Sequence, residues 1–519
     1  MSAPLGKWLT IHALRNADRT ALVDGDTGEQ FTYGELDERT TRLASAMKQR
    51  GVQPGDRVAI YSLNSPAMLE LLFATAKLGA ITVMVNFRLT APEINFILKD
   101  SGADLMFAST SLRETAEAAL DGTEVREILD LPTAAERIER TRTSFDELLE
   151  AGDPTAQFID VDPETPAVLM YTSGTTGTPK GAMISHTNLF WVSLYHNSFE
   201  RGLNRYDVNL VTAPLFHIGA LAVYTLPSVY WGGANVVLEN FNPATWAAAV
   251  EEYGVTKAFA VPTMWGALLQ SGALDAHDVS SLDVAISGGA PCPIPIIDAL
   301  QAKGISFTEG FGMTETAAMA STLPGEFVKT HAGSIGRPST HVNFRAVDEH
   351  GRDVGVGEVG ELIIQGPSII KGYWNRPLAN EESFKDGWFY SGDLVTFDED
   401  GFYRIVDRKK DMVISGGENV YSVEVEQALI AHPAVGEVAI IGTPHPTWGE
   451  AVTAVIVKTE AATADEASLT EEIASYARER LAGYKVPKRI VFLETLPRTV
   501  AGKVRKVELR EQLSAEVAD

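Results

Sequence analysis

The chain of 519 residues carries one cysteine, Cys292. A single thiol excludes an internal disulfide framework and a cysteine-ligated zinc site, and it leaves Cys292 as a small packed residue. Positive charge is also short: 43 Lys and Arg face 69 Asp and Glu, a formal net charge of −26. A chain this acidic is repelled by nucleic acid and by anionic membrane surfaces, so neither is an expected partner. Met1–Arg15 has no apolar core and no small-residue cleavage site, which argues for a cytoplasmic protein. One long stretch, between Asp207 and Glu239, lacks Asp, Glu, Lys and Arg, but Pro214, His217, Pro227 and the pair Gly232–Gly233 interrupt it. It reads as two buried strands around a helix, with no transmembrane segment. What remains is an ordinary globular composition, 45% hydrophobic and 22% charged. The length fits three to four domains or subdomains of about 150 residues each.

The first 165 residues alternate strand and helix signals. Phe31–Tyr33 reads as a short strand, and Thr32 caps a helix over Tyr33–Gln49 with Glu35 in its first turn. Arg57–Tyr61 is a buried strand, Pro66–Leu78 an apolar helix stopped by Gly79, and Ala80–Val85 the next strand. This rhythm predicts a parallel sheet with helices on its faces. Thr110–Leu149 is charged and helix-rich, and reads as a solvated face. The rhythm resumes at Thr165–Tyr171 and runs to about Gly310. From Gly336 to Phe402, short strands (Asn343–Val347, Glu361–Gln365, Leu394–Phe397 and Tyr403–Val406) are divided by Gly, Asp and Pro turns, as in a β-rich subdomain. Beyond the charged run Arg408–Asp411, the segments Val423–Ile430, Val435–Ile441, Ala451–Lys458, Leu469–Leu481 and Ile490–Phe492 read as a small α+β domain.

The strongest chemical signal is Tyr171–Gly181, directly after the strand Ala167–Tyr171. Thr172, Ser173, Gly174, Thr175, Thr176, Gly177 and Lys180 combine small residues, which let the backbone fold round an anion, with hydroxyls and one positive charge. The order is not that of a P-loop. Five further stretches follow: Ser287–Pro291, Glu309–Glu315, Tyr390–Asp393, Val406–Lys410 and Pro497–Lys503. In this order, the six resemble the signature motifs of the adenylate-forming superfamily, which includes acyl-CoA synthetases, luciferases and peptide-synthetase adenylation domains. The resemblance spans essentially the whole chain.

That resemblance implies a fold and a division of labour. The fold is α/β, with a large N-terminal domain (1–408), a hinge (409–411) and a small mobile α+β domain (412–519). Gly288, Gly289, Ala290 and Pro291 form the adenine-side turn, where two glycines let backbone lie against a planar base. Glu309, Gly310, Phe311, Gly312 and Met313 continue the AMP site, with the Phe311 ring offered to adenine. Thr314 donates to a phosphate, and Thr175 and Glu315 hold magnesium, for which a carboxylate is a suitable hard ligand. Asp393 and Arg408 take the ribose and phosphate side. Lys503 bridges the substrate carboxylate and the α-phosphate; with Thr314 and Glu315 it makes the catalytic set. Lys410 is the hinge residue, and Gly416 and Gly417 belong to the coenzyme A site.

The implied reaction joins a carboxylic acid to coenzyme A at the expense of ATP, with magnesium as cofactor and a homodimer left open. His217, in Pro214–Gly219, and Trp265, in Val261–Trp265, are the acid-pocket candidates. No acidic residue stands in the His217 segment to hold a substrate ammonium, which argues against an amino acid. The chain ends at Asp519 without a carrier segment, which argues against a peptide-synthetase module. The Phe216-His217-Ile218-Gly219 pattern most resembles that of fatty-acyl-CoA synthetases, which implies a fatty acid first, and second an aryl acid of the coumarate or ferulate type. Two other classes compete: a nucleotide-binding protein that has lost catalysis, against which Glu315, Asp393, Arg408 and Lys503 count, and a luciferase-like mono-oxygenase, which would depend on oxygen.

Overall fold

The computed structural model describes residues 3–172, 179–198, 200–460, 462, 464–498 and 504–518, the side chains of 198 and 515–518 excepted. By packing, the chain divides into two compact units. The first comprises Met1–Gly174, Thr178–Phe344 and Ile364–Phe389; the second is formed chiefly by Arg345–Ile363 and Tyr390–Asp519. The boundary expected at 409–411 lies inside the second unit.

Two sheets organise the first unit. One has the order Glu127–Leu131, Leu105–Ser109, Arg57–Tyr61, Ile81–Val85, Pro166–Thr172, Lys180–Ser185. Its first five strands are parallel and the last pair antiparallel. The segment expected to be a solvated face thus supplies an edge strand: Ile128, Leu129 and Leu131 are buried although charges surround them. The other sheet runs in parallel from Ser306–Phe311 through Val284–Gly288, Lys257–Ala260, Val208–Val211 and Ala234–Val237 to Thr20–Asp24. The charge-poor stretch contributes two of these strands and the helical segment between them. Among the described residues no helix is long and apolar enough to cross a membrane.

Local signals set the helix ends. Thr32 and Glu35 form a reciprocal capping box ahead of Tyr33–Gln49. Ser65 caps Pro66–Leu78 through the Met68 amide, Pro66 occupies the first turn, and Gly79 closes it in the left-handed conformation.

In the second unit, Trp388–Phe397 pairs antiparallel with Tyr403–Arg408, placing Asp393 opposite Arg408. A five-stranded sheet follows (Val413–Ser415, Glu418–Val420, Val435–His445, Gly449–Lys458, Arg489–Leu493). Ser422–Ile430 and Glu466–Arg478 supply Val425, Leu429, Ile473 and Ala477 to one core on this sheet; Leu509 and Leu513 of Lys506–Ala518 supply another.

Candidate active site

The carboxyl ends of two parallel strands bring two of the motifs side by side. Ser287 pairs with Glu309 and Gly288 with Gly310, at the end of a parallel sheet where ligands bind. A Cβ on Gly288 would lie 3.0 Å from the Gly310 carbonyl oxygen and 3.2 Å from the Phe259 ring, and Gly289 has φ of +84°. Both positions therefore need glycine. Phe311 is only partly buried, so part of its ring surface stays accessible. Gly312 packs against the Ala318 carbonyl, with no room for a side chain.

Glu309 is buried at the foot of this turn. The Cys292 backbone N–H donates to its Oε1 at 2.5 Å. Burial outweighs that bond and pushes the Glu309 carboxyl up to about 7. Burial, with the Glu309 charge, also pushes the Cys292 thiol up to about 12, so it stays a packed neutral group.

A third motif reaches the same unit through a residue with no motif of its own. Thr314–Thr316 forms a short helical turn, with the Met313 amide donating to Thr316 Oγ1 at 2.9 Å. Glu315 is buried, and the Tyr373 hydroxyl donates to its Oε1 at 2.9 Å. The Tyr373 ring also receives Lys180, whose Nζ lies 5.3 Å from its centroid. Beside it, Trp374 N–H donates to the Gly181 carbonyl at 2.7 Å. Tyr373 thus joins Lys180, at the far end of the Thr/Gly loop, to Glu315. Thr172 pairs with Lys180 across the strands that enter and leave this loop. Ser173, Gly174, Thr175, Thr176 and Gly177 lie outside the described residues, as does Lys503.

The donor chemistry at Glu315 fits magnesium held jointly with a nucleotide. The ion prefers octahedral oxygen ligands and is commonly bound by one or two carboxylates plus phosphates. Among the described residues no cluster of three or more His, Cys, Asp or Glu would hold a metal alone, and the Glu315 carboxylate suits the shared mode.

Within the second unit, Asp393 is buried, and Arg408 Nε lies 3.3 Å from its Oδ1. Ser391 Oγ accepts the Asp393 amide at 3.1 Å and donates to the Leu362 carbonyl at 2.6 Å. An acidic group so held can face ribose hydroxyls. Lys410 is exposed in the turn after Tyr403–Arg408, where the Asp411 and Met412 amides both donate to the Arg408 carbonyl. Gly416 and Gly417 form the two-residue turn of a hairpin, at φ of +62° and +85°, the combination that a tight hairpin turn requires.

The acid-pocket candidates separate. His217 precedes the turn Ile218–Ala220, its ring 4.4 Å from that of Phe216. Trp265 is wholly buried: its indole N–H donates to the Ala260 carbonyl at 3.1 Å, and its ring packs edge-on against Trp246 and Phe307. It is a core residue, with no face left for a substrate. The aromatic that is partly exposed at the strand end is Phe259, whose ring lies against Gly219 and Gly288.

Comparison with known proteins agrees with this geometry. Residues 9–374 match the AMP-binding enzyme model, and 424–503 its C-terminal domain. A feruloyl-CoA synthase from Amycolatopsis is 40% identical over 98% of this chain and 99% of its own. An indoleacetate–CoA ligase from Aromatoleum aromaticum is 35% identical (98% of both chains), and a long-chain-fatty-acid–CoA ligase from Mycobacterium tuberculosis 36% (96% of both). Among solved structures, ATP-bound MatB from Rhodopseudomonas palustris superposes with a TM-score of 0.88 at 32% identity, covering 99% of both chains. The o-succinylbenzoate CoA synthetase of Bacillus subtilis, in complex with its acyl-adenylate, gives 0.84 at 31% (98% of both). The chain belongs to the AMP-binding enzyme family of the adenylate-forming superfamily, and is an AMP-forming acid–thiol ligase that works with ATP, magnesium and coenzyme A.

Proposed function

We propose that the acid is aromatic, of the cinnamate or ferulate type, which reverses the order of expectation drawn from Phe216–Gly219. The observation that carries this is the full-length 40% identity to a feruloyl-CoA synthase. A part-exposed Phe259 beside Gly219, which takes no side-chain space, supports it by offering a flat apolar wall. The fatty-acid reading is the second, favoured by the 36% identity to a long-chain ligase.

The residues then take these roles. A carboxylic acid of pKa about 4 to 5 is already ionised at neutral pH, so no general base is needed. The carboxylate oxygen attacks the α-phosphorus, and the bond to the bridging oxygen of pyrophosphate breaks. Lys503 spreads the charge growing on the phosphoryl oxygens, and Lys180 lies on the loop that cradles them. Glu315, oriented by Tyr373, holds magnesium, which when bound neutralises phosphate charge. Gly288–Pro291 and Phe311 take the adenine, while Asp393 and Arg408 take the ribose. In the second step the coenzyme A thiolate attacks the acyl carbonyl and AMP leaves; Gly416 and Gly417 serve the thiol side, and a turn at Lys410 exchanges the two steps. We place the enzyme in the cytoplasm, where both cosubstrates are abundant.

The test is kcat/KM for thioester formation across cinnamates, benzoates and straight-chain alkanoates. The proposal expects ferulate or a close cinnamate to exceed the best alkanoate by at least about tenfold. The opposite order would establish the fatty-acid reading.

A further inference from the structure

The turn at Lys410 is held on both sides, and a buried carboxylate bonds across it. Ahead of the turn the chain is tied to the β-rich strands. Leu394 pairs with Asp407 and Asp393 with Arg408; the Lys409 amide donates to the Gly392 carbonyl at 2.9 Å, and Lys409 Nζ lies 2.8 Å from Glu361 Oε2. Past the turn, Arg510 of Lys506–Ala518 donates to Asp411 Oδ1 at 2.7 Å. Asp407 departs from this division. Its strand, Tyr403–Arg408, lies ahead of the turn, yet its side chain is bonded to Ser422, which lies beyond it.

Ser422 opens the helix Ser422–Ile430, and Tyr421, at the N-cap position, gives no side-chain cap. The first amides of a helix have no partner within it. Asp407 supplies one from across the turn: Ser422 N–H donates to its Oδ2, and Ser422 Oγ donates to its Oδ1 at 3.0 Å. The helix dipole also favours a carboxylate at this end. Lys506 closes the cluster from the last helix, its Nζ 2.6 Å from Ser422 Oγ and 2.7 Å from Glu426 Oε1. Asp407 and Ser422 are both buried.

A rotation at Lys410 carries Ser422 and Lys506 away from Tyr403–Arg408, so it must break the bonds to Asp407. The pairs Lys409–Glu361 and Asp411–Arg510 each lie on one side of the pivot and can travel intact. We propose that Asp407 is a positioning residue, a latch that holds the C-terminal domain in one of its two orientations by capping Ser422–Ile430 and lets go as the enzyme passes between its half-reactions. The proposal rests on the domain-rotation reading given above. Bonds present in one orientation and absent in the other bias the equilibrium between them. Their removal moves population to the second orientation, and the half-reaction that uses it gains at the expense of the other.

The experiment measures two single-turnover rate constants with the best acid of the panel: adenylate formation without coenzyme A, and thioester formation from supplied acyl-adenylate. Wild type is compared with Asp407→Ala, Asp407→Asn, Asp465→Ala and Lys410→Pro. Asp465 is the control, since it caps Glu466–Arg478 through the Ala467 and Ser468 amides with every partner beyond the turn. Loss of a helix cap changes an equilibrium about fivefold, so the ratio of the two constants should shift by at least about that factor in Asp407→Ala. Asp407→Asn keeps one acceptor and should shift it less, in the same direction; this variant decides the matter if Asp407→Ala does not fold. Asp465→Ala should lower the melting temperature and leave the ratio unchanged. Equal losses in both half-reactions of the Asp407 variants, with Lys410→Pro still separating them, would overturn the latch and leave the rotation reading intact. A shift in Asp407→Ala without one in Lys410→Pro would support the latch and move the pivot elsewhere. No shift in any variant would overturn both.

Discussion

At the scale of single residues, Glu309 is a buried carboxyl whose charge the fold opposes. Its folded-state pKa, about 7, lies above the ordinary carboxylate value, so folding takes up a proton between pH about 4.5 and 7. Stability therefore falls as pH rises through that window. Glu309→Gln keeps an acceptor for the Cys292 amide and removes the charge. The variant should gain up to about 3 kcal/mol over wild type at pH 8 and almost nothing at pH 4.5; parallel denaturation midpoints across that range would refute the assignment. Glu315→Gln keeps shape and the Tyr373 bond but loses the charge that holds a hard cation. Pyrophosphate release should then need several-fold more magnesium, and an unchanged magnesium dependence would sink the role. Lys503→Ala should lower adenylate formation by about 10²- to 10³-fold while ATP binding persists, and thioester formation from supplied acyl-adenylate should survive. Adenylate formed at the wild-type rate would show that Lys503 plays no part.

Among the elements, the turn around Lys410 carries the clearest prediction. Proline fixes φ near about −65°, and a domain rotation must be absorbed by a few residues changing φ and ψ. Lys410→Pro should leave adenylate formation near normal and sharply reduce thioester formation, measured separately in single turnovers. Equal loss in both would make Lys410 a structural turn residue. The helices around the first sheet were legible because caps are local chemistry. Thr32 with Glu35 opens Tyr33–Gln49, and Gly79 closes Pro66–Leu78, as expected; the Ser65 cap of the second helix is added by the structure. Glu127–Leu131 was not, because Ile128, Leu129 and Leu131 show no period-two alternation and stand among charged neighbours until a strand pairs with them. Trp388–Phe397 also starts earlier than the pattern Leu394–Phe397 indicates, since Ser391-Gly392 reads locally as a turn. Strand register sets two of the motifs, Ser287–Pro291 and Glu309–Glu315, side by side, whereas Tyr373 has no motif to mark it: its contacts exist only where Lys180 and Glu315 meet. Trp265 erred the other way, since an aromatic near a motif looks like a pocket wall until Trp246 and Phe307 enclose it.

For the whole molecule, parallel sheets place ligand chemistry at strand ends while the core supplies rigidity. Phe311, Glu309 and Gly288 differ in exposure and charge, yet all sit at that edge because strand register puts them there. The central claim is that the acid is activated as an acyl-adenylate before the thiol takes part. Acid-dependent exchange of labelled pyrophosphate into ATP, measured with ferulate and magnesium but no coenzyme A, tests it most directly. The account predicts exchange under those conditions, abolished by omitting the acid and strongly reduced in Lys503→Ala. Exchange only when coenzyme A is present, or ATP consumption yielding ADP and phosphate, would contradict it.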